Sequence, residues 1–162
     1  MSPLFLSNGL VPIRKYVLQG ATTTVDFPNL NGNAYSGFQL SWNVSDGAAA
    51  GAHLLSFVNS DTVQANYVAQ HVIGRGSSAL AAADNFPTIG FQGTNQESSG
   101  VTYFFRSPTG FFCWRGFSHY GRLTVTSGDS LWTVGQKTNA TIADISTLTI
   151  QSRSTGSMGT NS

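Results

Sequence analysis

The sequence is short of charge. Of 162 residues, eight are Lys or Arg and seven are Asp or Glu, 9% of the chain, with a net charge of +1. Ordinary soluble domains carry about 25%. The basic stripe that draws a phosphate backbone is missing, which argues against a nucleic-acid partner. A single cysteine, Cys113, can neither close an internal disulfide nor build a cysteine-rich metal site. No apolar run approaches the roughly 20 residues of a membrane-spanning helix. The start, Met1-Ser2-Pro3-Leu4-Phe5-Leu6, lacks the basic beginning and long apolar region of a secretory signal. Neither an amphipathic helical pattern nor an internal repeat is present. Ser, Thr, Asn, Gln and Gly take the place of charge, and such a weakly hydrated surface suits extended contact with other protein.

What the sequence does contain is alternation. In residues 37–45, Phe38, Leu40, Trp42 and Val44 are apolar and Gln39, Ser41, Asn43 and Ser45 are polar. That is the period-2 pattern of a half-buried strand, and Gly37 and Gly47 punctuate its ends. Further strands are expected over 13–18, 22–27, 53–58, 66–73, 87–91, 101–106, 110–117, 122–126, 131–134 and 142–151. In 66–73, Tyr67, Ala69, His71 and Ile73 share one face. Asn59-Ser60-Asp61 reads as a turn, because these side chains satisfy their own backbone. Residues 74–85 read as a small polar loop with room for one helical turn at 79–82, and 93–100 as a polar loop. Turns recur every 8–12 residues or so. The pattern predicts an all-β protein, an antiparallel β-sandwich with a jelly roll of about 8–10 strands, with an up-and-down barrel as the alternative. Residues 1–12 are expected to be an extended arm, with a disordered tail as the alternative, and residues 13–162 a single sandwich domain. Eleven Phe, five Tyr and three Trp are ample for its core.

Catalytic groupings are not evident. Most carboxylates sit in expected turns; Asp46 and Asp129 could meet at one end of a sandwich, but nothing in the sequence favours it. His53, His71 and His119 lack metal-ligand spacing and read as surface or satisfied strand histidines. Ser118 and His119 are adjacent on a strand, so they point to opposite faces and make a poor nucleophile–base pair. Gly74-Arg75-Gly76 has no following Lys-Ser/Thr and is no phosphate loop. Cys113, among Phe111, Phe112 and Trp114, reads as a small core hydrophobe. The expectation is a non-enzyme with no catalytic residues, no cofactor and no metal.

Contact residues are better marked. Residues 101–106 and 110–117, joined by Ser107-Pro108-Thr109-Gly110, carry aromatics on both strand faces. A sheet with one wet face should not do so: either both faces are buried within the domain, or the outer face packs on another subunit, which would make Tyr103, Phe105, Phe111 and Trp114 interface candidates. Leu4, Phe5, Leu6, Leu10 and Val11 make the arm a second candidate, while Pro3, Gly9 and Pro12 keep it extended. Such an arm can add to a neighbour's sheet edge. With the low charge, these features predict an obligate oligomer, a homotrimer.

Several positions together resemble the small jelly-roll decoration, cement and fibre proteins of tailed bacteriophages. They are Phe27-Pro28-Asn29-Leu30 leading into Tyr35-Ser36-Gly37-Phe38-Gln39-Leu40, Asn59-Ser60-Asp61 with Asn66-Tyr67, and Trp132 followed by the Ile-rich stretch 141–150. The resemblance covers residues 13–162. It implies a virion protein on the capsid surface that stabilises the shell, with the major capsid protein and its own copies as partners. It also implies an alternative, a fibre module binding host-surface carbohydrate, for which Tyr35, Trp42 or Trp132 would stack on sugar rings. In the family a final aromatic strand follows a Gly-Ser turn. Here Gly156-Ser157 is followed only by Met158-Gly159-Thr160-Asn161-Ser162, so either that strand is missing or another segment, such as a neighbour's, fills its place.

Overall fold

The computed structural model describes residues 14–18, 22–45, 52–75, 78–92, 96–122, 128–153 and 158–159. The arm, with Leu4, Phe5, Leu6, Leu10 and Val11, lies outside them, as does the strand expected at 123–126. Ten strands are formed: β1 (Thr24–Phe27), β2 (Gly37–Ser45), β3 (Ala52–Val58), β4 (Tyr67–Arg75), β5 (Ser78–Asp84), β6 (Thr88–Gln92), β7 (Gln96–Arg106), β8 (Phe112–Arg122), β9 (Gly128–Lys137) and β10 (Leu148–Ser152). One 3-10 turn at Gln64–Asn66 is the only helical element among the described residues.

The strands form two antiparallel sheets, β1-β10-β3-β6 and β2-β7-β8-β9-β4-β5. The chain crosses between them at every connection except β4–β5 and the β7–β8–β9 meander. This is a jelly-roll β-sandwich in which a three-stranded meander stands where a single strand would do. Val25, Leu54, Leu55, Phe57 and Ile150 from the smaller sheet and Phe38, Tyr67, Phe104, Phe112 and Trp114 from the larger share one core.

Strand parity sets what enters that core. Trp114 is 1% exposed and its indole N–H donates to Thr88 O at 3.0 Å. The indole lies flat over Gly135, where a Cβ would come within 2.1 Å of the ring, so no other residue fits there without moving the tryptophan. Trp42 also faces inward, half-buried, over Gly90, where a Cβ would come within 2.4 Å of the ring. Its Nε1 is buried without a partner. Trp42→Phe removes that unpaired donor, so it should cost less than about 1.5 kcal/mol in urea unfolding, well below the cost of truncating a buried indole.

Four expectations are corrected. Residues 78–84 form a strand with no helical turn, because seven consecutive residues pair with β4. β7 begins at Gln96, inside the expected polar loop, because it follows β2 and β8 in register along their length. Residues 14–18 are irregular. The last strand is only Leu148–Ser152. The main chain before it is occupied by loops: Leu30 N–H donates to Ser146 O and Gly32 N–H to Ile145 O.

Met158 N–H donates to Thr22 O at 2.6 Å, and its side chain is buried in the core. Thr22, just before β1, and Met158 thus form an isolated antiparallel bridge.

Candidate functional site

The site is the outer face of the larger sheet. The register lays its outward residues in transverse rows. One row is polar: Asn43, Ser99, His119, Ser130, Gly74 and Ala79. The next begins at Ser41 and is otherwise apolar: Val101, Phe117, Trp132, Val72 and Ala81. The third mixes both: Gln39, Tyr103, Arg115, Val134, Gln70 and Ala83. The fourth holds Gly37, Phe105, Cys113, Gln136 and Val68.

Trp132, 62% exposed, is the most exposed large apolar side chain among the described residues. Its ring centre lies 4.8 Å from that of Phe117, tilted by 53°. The Arg115 guanidinium carbon lies 5.8 Å from the Tyr103 ring centre. Val134, Val72 and Val68 are also exposed. The middle rows line a shallow groove of about 1130 Å³. From strand spacing and rise, the four rows span roughly 24 Å by 20 Å, near 500 Å² in projection. The apolar row runs across the middle of that face, and exposed apolar surface of this kind is often functional.

The hairpin candidates separate by parity. Tyr103 and Phe105 point outward, and Phe111 is half-buried at the turn, where its N–H donates to Ser107 Oγ. Trp114 is a correction: it shares its side of β8 with Phe112 and is core, so it offers nothing to an interface. Cys113 is also corrected, onto the outer face beside Phe105, half-buried, with burial raising its thiol pKa. Phe117, Val134 and Val72 belong to the face without having been singled out. The signal for them was parity with Tyr103, once the register is known. Of the three candidate sugar stackers, Trp132 is on this face. Trp42 turns inward, and Tyr35 precedes β2 and leans on Phe38, with ring centres 5.9 Å apart.

The titratable side chains inside the sandwich are engaged in the fold. Asp61 accepts from Asn66 and lies 2.9 Å from Lys137 Nζ. Burial alone would raise its pKa, but these bonds and the Val63 N–H outweigh that and hold the carboxyl below its usual range. Tyr67 donates to Asp61 O at 2.7 Å and accepts from Val58 N–H, and burial pushes its phenol far up. Asn59, with φ 51°, donates to Asp144 O and accepts from Ser146 and Thr147. The turn that carried part of the family resemblance therefore pins two loops together. Ser118 is buried and His119 exposed, on opposite faces as adjacent strand residues must be. Asp46 lies outside the described residues.

A second cluster sits at the end of β5. Asp84 Oδ2 accepts from Thr88 Oγ1 at 3.2 Å, lies 3.3 Å from His71 Nδ1 without hydrogen-bond alignment, and is 3.7 Å from His53 Nδ1. His53 is wedged edge-on between Phe86 and Phe91. Burial lowers its pKa to about 4; Asp84 opposes that shift, and Arg153 and His71 add to it. The folded protein thus holds His53 neutral, whereas the unfolded chain protonates it near 6.5. Its contribution to stability is complete above pH 6.5 and is lost as pH falls toward 4. Urea midpoints should fall over this window, and His53→Gln should flatten the fall. An unchanged slope in the variant would contradict the assignment.

Comparison with protein-family models, with curated proteins and with solved structures found no match.

Proposed function

We propose that the protein is a non-enzymatic virion structural protein. It decorates and cements the shell of a tailed bacteriophage, docking through the outer face of the larger sheet onto the major capsid protein and neighbouring copies of itself. The observation that carries this reading is the continuous apolar band from Val101 through Phe117 and Trp132 to Val72 and Ala81, exposed on a face that solvent would otherwise cover. Burying it requires no charge pairing, which suits a chain with so few charges. A stable interface needs about 800 Å² per partner, so this face is most of one side of a contact. Purified protein added to shells stripped of it should co-sediment with them and raise their resistance to heat. Shells that take up none would overturn the reading.

A second reading, a carbohydrate-binding module, is favoured by the exposed Trp132 indole beside Phe117 with Gln39, Gln70 and Arg115 in the adjoining row. Flat rings and planar polar groups are what a sugar ring stacks on and hydrogen-bonds to. Calorimetric titration with bacterial surface oligosaccharides separates the two readings.

A further inference from the structure

We propose that β5 is a self-association edge, and that two copies pair their β5 strands antiparallel about a twofold axis through Ala81. Among the described residues β5 is the outermost strand of the larger sheet, and the strand it pairs with is β4. Such a strand directs alternate main-chain N–H and C=O groups away from its own sheet, a template for another strand. Native edges are guarded by lysine, proline, a bulge or short length. Ser78–Asp84 has seven residues and neither lysine nor proline, and its pairing to β4 runs without a register shift. Its one charge does not guard it, because the Asp84 carboxylate is turned toward Thr88 and His71.

Both sides of the strand are uncovered. Leu80 and Ala82 lie opposite Ile73 and His71, on the side of β4 that meets the core, yet Leu80 is 54% exposed and Ala82 is exposed. The core's cover therefore ends at β4, and β5 overhangs it.

The sequence suits a second copy of itself. The twofold places Ala79 opposite the second copy's Ala83, Leu80 opposite Ala82, and Ser78 opposite Asp84, so no like charges meet and each large residue faces a small one. A second copy also continues the outer face across the axis, giving twelve strands with one apolar surface. Another strand with an uncharged edge is the competing occupant. The inference rests on the fold alone and holds whether or not the protein belongs to a virion.

Light scattering on the full chain, with Ala81→Lys and Ala81→Glu made separately, tests it. Wild type should be a dimer at micromolar concentration, in place of the trimer expected from the low charge and the aromatic hairpin. Each variant puts two like charges face to face on the axis and should dissociate at least about tenfold more readily, while circular dichroism stays that of a β protein. An equimolar mixture of the two variants should return to dimer, which misfolding could not mimic. A wild-type monomer, a trimer, a dimer that neither variant weakens, or a mixture that stays monomeric would each overturn the proposal.

Discussion

Trp114→Ala should destabilise the protein by about 3–5 kcal/mol, as truncations of fully buried aromatics do. The indole contacts Tyr67 and Phe112, fills the hollow over Gly135, and donates to Thr88 O. The backbone of Thr88 keeps a second donor, Thr133 Oγ1 at 3.0 Å, so the loss is mainly of packing. Small domains have only 5–15 kcal/mol in hand, and the thermal midpoint should fall by roughly 10 °C or more. Arg115→Ala, one residue along on the exposed face, should stay within about 0.5 kcal/mol. Similar midpoints for the two variants would mean that the faces of β8 are reversed.

Trp132→Ala should do the opposite. The side chain stands out from the sheet with one tilted aromatic neighbour, so the melt should hardly move. Docking should suffer most here, because a central tryptophan in an apolar patch typically carries 2 kcal/mol or more of binding energy. That corresponds to roughly thirtyfold weaker uptake onto stripped shells. Ser130→Ala, in the polar row, is the control and should bind as wild type. Equal uptake by the tryptophan variant and wild type would remove this face from the contact.

What the sequence makes legible is set by parity and by pairing. In β2 alternation is uninterrupted, and both its bounds and its inward face are readable directly. In β5 it is not, since Ala-Leu-Ala-Ala-Ala has no alternation and good helix propensity. Pairing with β4 decides that segment, and pairing is not local. Residues 142–147 carry two isoleucines and read as the start of the last strand, yet the main chain of Ile142 bonds to Gly110 and that of Ser146 to Asn59 and Leu30. Aromatics on both sides of the 101–117 hairpin were visible in the sequence. Which of them faced out was not, because Phe111 and Phe112 leave the parity of Trp114 undecided until the start of β8 is fixed. The His53–Asp84–His71 cluster joins residues from β3, β4 and β5, and no spacing in the chain announces it.

The most direct test is oxidative side-chain footprinting of the protein free in solution and seated on the shell. Trp132, Phe117 and Tyr103 should be modified in the free protein and protected on the shell, while Tyr35, also exposed but outside the rows, serves as the reference. Bound protein in which Trp132 is oxidised as readily as in solution would contradict the claim that this face is where the protein makes its contact.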